Sequence, residues 1–323
     1  MIKLLPTASA LLLACCSYAQ TEHVMLIPGW KVGDARTLHI VKNTNETVND
    51  TVRINDTREA DALVKVTKNT ANAFTIEMPY KGEHLAKTVE MNLEYGEGDA
   101  FRQEVNLRYD VRKADGKPDL VNWEEARTFV KNRIDTMRAM SADTATANKA
   151  RRGMLALLEK KDYVQWLFSD QIGWITNVYG RTMLPKDSLH AMEKNINPLT
   201  LHPLDSLTTK TTVVISSLDQ AKQRMIVRSE VYYDTKSYVD MEKKEITATA
   251  GVGIKNEKDK AEAKRKATVL ANSCTATAKN LTNTTMNTRT SWPSKVVSTT
   301  RINSKRTGKH TVLTETWTVD VKE

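Results

Sequence analysis

Around residues 101–111 apolar and polar side chains alternate, with Phe101, Val105, Leu107, Tyr109 and Val111 interleaved with Arg102, Glu104, Asn106, Arg108 and Asp110. A period of two places one set on a buried face and the other in water, as in a half-buried antiparallel strand. Val89, Met91, Leu93 and Tyr95 repeat the pattern upstream. Between the two runs, Gly96-Glu97-Gly98-Asp99 offers two glycines free to take positive φ, which predicts a hairpin. A second hairpin is predicted with Val64 and Val66 opposite Phe74, Ile76, Met78 and Tyr80 across Asn69-Thr70-Ala71-Asn72. From Trp30 to about Lys113 the chain therefore reads as a meander of about five or six strands.

After Ala114-Asp115-Gly116-Lys117-Pro118 the period changes, since Trp123, Ala126, Phe129, Val130, Ile134, Met137 and Met140 recur at helical spacing. Asn122 is placed to cap this helix, with Glu124 and Glu125 in the first turn, where the helix dipole favours anions. A second helical region is predicted from near Asp143 to Gly180, broken around Asp162. Pro185, Pro198 and Pro203 mark an irregular connection.

Alternation then returns, with Met225, Val227, Val231 and Tyr233 on one face of a strand. Lys255 to Lys266 predict a helix with a solvated charged side, continuing toward Lys279, and Cys274 on it reads as a small buried apolar side chain. Two closing strands follow, Val296 to Ile302 and His310 to Val321, joined at Arg306-Thr307-Gly308. Meanders interrupted by helices predict an α+β fold: antiparallel sheets of about ten or eleven strands, half-barrel-like, packed on central apolar helices. The expected segments are 1–19 as signal, 20–118 as N-terminal meander, 119–182 as helical, 183–206 as irregular connection and 207–323 as a β-rich part with one basic helix.

MIKLLPTASALLLACCSYAQ carries one lysine, an apolar run from Leu4 to Ala14, and small residues at Ser17 and Ala19, the pattern of an export signal. Two processing routes stand open: cleavage before Gln20, or lipidation of Cys15 after the imperfect lipobox Leu12-Leu13-Ala14. Nothing later offers ~18 unbroken apolar residues, so no spanning helix is predicted in the mature chain. Of three cysteines, Cys15 and Cys16 lie in the signal. Only Cys274 would then remain, and an exported chain without an internal disulfide must be held by hydrophobic burial.

The segment YVQWLFSDQIGWITNVYG, 163–180, carries one charge. On a helical wheel of ~100° per residue, Gln165, Ser169, Gly173, Thr176 and Gly180 form a small-polar arc. Leu167, Phe168, Ile172, Trp174, Ile175 and Val178 lie on the apolar side, with Trp166 beside them. Gln171 falls among them, where an unpartnered amide costs about 1–3 kcal/mol. The segment either fills the core against a curved sheet or borders a ligand cavity with Trp166, Phe168, Gln171 and Trp174 as contacts. On the last strand Leu313, Glu315, Trp317, Val319 and Val321 share a face, which makes Trp317 a further ligand contact and Glu315 either a salt-bridge partner or a candidate polar site.

No G-x-S-x-G, H-E-x-x-H, P-loop or strand-linked G-x-G-x-x-G occurs. No catalytic residue, metal site or cofactor is therefore predicted. Glu94, Glu97 and Asp99 lack the spacing of a dedicated calcium loop and read as a hairpin tip. Residues 264–314 hold ten lysines and arginines and no acid, more than the whole formal net charge of +9. Either this face pairs with acids of the N-terminal half, or Lys264, Arg265 and Lys266 contact an anionic envelope surface; nucleic acid does not fit an exported chain.

Asp-Ser/Thr followed by an apolar residue occurs at Thr51, Thr136, Thr144, Ser188 and Ser206. The pattern resembles the O-glycosylation acceptor of exported Bacteroidota proteins, although Asp-Ser/Thr pairs are also turn and cap chemistry and Thr136 lies in a predicted helix. With its Ala-Gln signal and Thr- and Asn-rich meander, the chain resembles the exported proteins common in Bacteroidota. Its predicted shape also resembles the half-barrel carriers of the periplasm. These resemblances imply a periplasmic, outer-membrane-associated or secreted location and no residue roles. The expected function is non-catalytic binding of an amphipathic, lipid-like or anionic ligand. The alternative is a structural or complex-forming envelope component, and the third reading is an enzyme of unrecognised type.

Overall fold

The computed structural model describes residues 24–26, 28–81, 104–140, 145–180, 182–183, 188–200 and 205–323. The signal, Cys15, the run 89–95 and the trio Glu94, Glu97 and Asp99 lie outside the described residues.

Two sheets are present among the described residues. The smaller joins β1 (Val24–Met25) to β7 (Thr182–Met183). The larger has eleven strands, all pairing antiparallel. Its N-terminal strands are β2 (Ala35–Val48), β3 (Thr51–Asn69), β4 (Ala73–Lys81), β5 (Glu104–Arg112) and β6 (Pro118–Leu120). Its C-terminal strands are β8 (Ser188–Ile196), β9 (Ser206–Asp219), β10 (Arg224–Tyr233), β11 (Thr275–Asn287), β12 (Pro293–Arg306) and β13 (Lys309–Lys322). The chain's last strand, β13, pairs with β2, Trp317 opposite Lys42 and Val319 opposite Ile40, so the two meanders are one sheet. The sheet is open, with β6 and β8 at its edges.

Turn chemistry sets two of the registers. Asn49 and Asp50 both hold positive φ, 48° and 62°, in the two-residue turn that closes β2 on β3, the backbone shape that matches strand twist. Thr307 and Gly308 do the same between β12 and β13, at 48° and 79°. The two tips are tied together, because Asn49 N–H donates to the His310 carbonyl and His310 N–H donates to Asn49 Oδ1, each at 2.8 Å.

Four helices follow β6: α1 (Trp123–Met140), α2 (Ala145–Leu158), α3 (Lys161–Leu167) and α4 (Ser169–Thr176). Asn122 does precede α1, but its side chain does not cap it. Oδ1 accepts from Arg108 N–H at 2.8 Å and Nδ2 donates to the Asn106 carbonyl at 2.8 Å, so the amide binds the helix start to β5. The segment 163–180 is not one continuous helix either. It breaks at Phe168, φ −108° and ψ 7°, and the wheel drawn through it is reset there. The described breaks fall at Glu159–Lys160, next to the break expected around Asp162, and at Phe168, which was not expected.

Three further expectations are corrected. The connection 183–206 contains β8, whose described residues alternate weakly because edge position leaves most of them exposed. The C-terminal part has two helices, α5 (Lys236–Thr249) and α6 (Glu257–Asn272), packed as a hairpin between β10 and β11. The basic helix stops at Asn272, so Lys279 belongs to β11, and Cys274, 4% exposed, sits between helix and strand with its sulfur 3.6 Å from the Leu270 carbonyl.

One core gathers apolar side chains from both meanders and from the central helices. Phe74, Ile76, Met78 and Tyr80 of β4 and Leu107, Tyr109 and Val111 of β5 are all buried. Tyr80 meets Phe168 edge-on at 5.1 Å, and the Tyr109 hydroxyl donates to the Phe168 carbonyl at 2.9 Å, which gives the helix break a buried partner. At one end of the sheet Trp30 stacks on Trp292 at 4.5 Å and meets Tyr179 edge-on at 5.2 Å. Gly180 follows, at φ +70°, with the Asp115 Cα only 2.0 Å from where a Cβ would stand, so no other residue fits this approach. No helix among the described residues is long and apolar enough to cross a membrane.

Candidate functional site

The strand pairing of β2, β13, β12, β11 and β10 lines up Lys42, Trp317, Ser298, Thr282 and Ser229 in one row on the sheet face that carries the core. α4 crosses this row. Trp174 meets Trp317 with ring centroids 5.1 Å apart and planes inclined at 41°. Beside them the Lys42 ammonium lies 3.0 Å from Glu315 Oε1 and 5.1 Å from the centre of the Trp317 ring. Lys42 is only 5% exposed. A buried ammonium needs a counter-charge, and the carboxylate with the ring face supplies it. Glu315 is thus a salt-bridge partner, one of the two roles its position allowed.

Past Trp174 the sheet face changes from apolar to hydroxyl-rich, and a cavity of about 200 Å³ opens between the end of α4 and β8 to β11. Asn177 and Val178 form its helix side. Val227, Ser229 and Val231 of β10 form its floor, flanked by Thr211 and Val213 of β9 and by Asn280, Thr282 and Thr284 of β11, with Glu193 and Asn195 at the β8 edge. The floor runs from Val227 to Val231 of β10, and these four residue steps make about 13 Å at ~3.3 Å each.

Part of this lining is internally satisfied. Asn280 Nδ2 donates to Ser298 Oγ at 3.0 Å and to Thr300 Oγ1 at 2.9 Å, while its Oδ1 accepts from the Thr282 hydroxyl at 3.0 Å. Asn195 Nδ2 donates to Thr209 Oγ1 at 2.7 Å, which donates to the Glu193 carbonyl at 3.2 Å. Two hydroxyls differ. Thr211, 5% exposed, and Thr284, 1% exposed, have no hydrogen-bond partner for Oγ1 among the described residues. A buried hydroxyl without a partner costs about 1–3 kcal/mol.

The predicted ligand contacts are divided by the fold. Trp174 and Trp317 meet each other and Glu315 joins them through Lys42, but none of the three lines the cavity. Phe168 is fully buried against Tyr80, and half-buried Trp166 stacks on Tyr163 at 5.7 Å, on the far side of the helical group. The Gln171 side chain lies outside the described residues. Lys264, Arg265 and Lys266 are exposed on α6, Lys266 pairing with Glu262 at 2.7 Å. Among the described residues, the ion pairs of the basic region from Lys295 onward run to C-terminal acids: Lys295 reaches Asp320 at 3.2 Å, and Arg306 reaches Glu242 at 2.5 Å and Glu245 at 3.2 Å. Of the acceptor motifs, Thr51 stands exposed beside the β2–β3 turn, and Ser188 and Ser206 are exposed at strand starts. Thr144 lies outside the described residues.

Lys42, Thr211, Thr282 and Thr284 were not read as site residues. Threonine alternating with valine in β9 looks like ordinary strand composition. Only the cross-strand register reveals that the hydroxyls share the helix-facing side. No protein-family model matches the chain, and no curated protein matches it.

Proposed function

We propose that this chain is an exported envelope protein that binds a small amphipathic ligand without catalysis, on the helix-facing side of its open sheet. The observation that carries the reading is the cavity beside α4, which is lined by four valines together with threonine, serine and asparagine and which has two buried hydroxyls in want of partners. Four valines beside eight polar residues make a mixed lining, which offers both C–H surface and hydrogen-bonding groups to a small molecule. In this reading the eleven-stranded sheet curls as a half-barrel around α1 to α4, with Trp174 and Trp317 dividing its filled end from its vacant end. The Thr282 hydroxyl is bonded to Asn280 and to Ser298, and in this reading it and the other lining hydroxyls act as contacts and not as nucleophiles.

The binding reading is tested with N-phenyl-1-naphthylamine, a neutral amphiphile that fluoresces on leaving water. Saturable enhancement, lost when Ser229→Phe fills the cavity floor, supports it; no enhancement contradicts it. Export rests on the leader sequence, and N-terminal analysis of the mature protein beginning at Gln20, or at an acylated Cys15, tests that part.

A second reading has its own observation: the α6 face with Lys264, Arg265 and Lys266 is exposed to solvent, as contact with an anionic surface would need.

A further inference from the structure

The chemistry of the cavity lining narrows the ligand, and this narrowing rests on the amphipathic reading above. Among the described lining residues no lysine, arginine or histidine appears, and the one charged side chain is Glu193. An anion brought there would be desolvated against a carboxylate and neutral dipoles without a counter-charge. The nearest buried cation of the row, Lys42, is already held by Glu315 and by the ring of Trp317. A bare hydrocarbon also fails, because it leaves the hydroxyls of Thr211 and Thr284 as they are, buried and without partners.

What satisfies the lining is a group that both accepts and donates hydrogen bonds and offers C–H surface to valine. The two hydroxyls stand at different places along the floor: Thr284 pairs across β11–β10 with Val227, and Thr211 pairs across β9–β10 with Val231. One small group therefore does not serve both, whereas an elongated chain of hydroxyls or ring oxygens does. The exposed carboxylate of Glu193 and the amide of Asn177 are then acceptors and donors at the rim. We infer that the cavity is a binding site for an uncharged, hydroxyl-rich group, a sugar or polyol, held by Thr211 and Thr284 once rotation about χ1 turns their buried hydroxyls toward it, and carried either free or as the headgroup of a lipid.

Ligand-observed NMR with four probes tests this: octyl maltoside below its micelle concentration, whose two-ring headgroup is long enough to reach both threonines, octyl phosphate with the same tail, free glucose and free maltose. Octyl maltoside is expected to bind at least about tenfold more tightly than octyl phosphate. Thr211→Val and Thr284→Val, which keep side-chain shape, should each weaken it about five- to tenfold, the loss expected for one hydrogen bond. Thr284→Ser should retain binding. Both valine variants should melt at or above the wild-type temperature, since an unpartnered hydroxyl is removed. Maltose binding as tight as octyl maltoside identifies a free sugar as the source and retires the amphipathic reading while the sugar assignment stands. Equal binding of octyl phosphate, or valine variants that bind like wild type, overturns the sugar assignment and leaves the amphipathic reading in place. If none of the four binds, the cavity is a hydration site and both readings fall.

Discussion

Trp174 on α4 and Trp317 on β13 meet at 5.1 Å, and this contact fixes the last helix of the central group against the strand that closes the sheet. Trp174 is 8% exposed. Its truncation to alanine is expected to destabilise the protein by about 3–5 kcal/mol, the range for removing a large aromatic from a packed core. Chemical denaturation measures it. An unchanged midpoint would show that α4 is a movable cover and not part of the core.

The Lys42–Glu315 pair beside that contact makes a different prediction. Glu315→Gln leaves an ammonium, 5% exposed, without its counter-charge, whereas Lys42→Met removes the charge and keeps the length of the side chain. The first should cost about 1–3 kcal/mol and the second less, because an uncompensated buried charge is worse than none. Equal losses from the two variants, compared by urea denaturation, would mean that packing and not charge sets the stability at this position.

Tyr179 provides a pH test. Complete burial raises its phenol pKa well above the ordinary 10.0, with a smaller opposing effect from Trp30. The fold keeps a proton that the unfolded chain releases as pH passes about 10, so stability is full below that value and falls as pH rises above it. Tyr179→Phe removes this titration, although it also removes the hydroxyl's bond to the Ser291 carbonyl. The variant should be less stable at pH 8 but should lose less between about pH 9 and pH 11. Parallel curves for the two proteins would assign the alkaline loss to other groups, such as Tyr163, which burial also raises.

The alternation at 74–80 and 105–111 was enough to read two strands of the sheet and the face each one buries, because period two survives wherever one side packs and the other is wet. Local pairing was legible too: β4 pairs with β3, Val66 opposite Ile76, and β12 with β13, as the two hairpins read from the sequence require. The distant pairings were not, since β4 also pairs with β5, Phe74 opposite Val111, and the closure of β13 on β2 joins residues nearly a chain length apart. α5 went unread because its inward stripe is thin: Tyr238, Val239 and Ile246 are only half-buried, and the one buried residue among them is the charged Glu242. The cavity was not legible. Trp174 and Trp317 stand out in a hydrophilic chain, but they do not line it. The threonines that do line it are inconspicuous, since β-branched residues are what strands contain anyway, and their meaning comes only from register and burial.

The exposed cations of α6 predict salt-sensitive contact with anionic surfaces. Binding to phosphatidylglycerol vesicles should weaken steeply between 0.1 and 1 M salt, as the Debye length shrinks from about 10 to about 3 Å. Replacing Lys264, Arg265 and Lys266 together by glutamate should abolish that binding and leave the melting temperature nearly unchanged. Loss of stability with intact vesicle binding would make this face structural.

Native mass spectrometry of the protein, extracted gently from its own cells without detergent, tests the binding account most directly. The account predicts the mass of the mature chain plus one small amphipathic molecule, with that added mass lost from the Thr211→Val, Thr284→Val double variant. A bare chain, or a chain bound to another polypeptide with no small molecule, would contradict it and favour a structural role in the envelope.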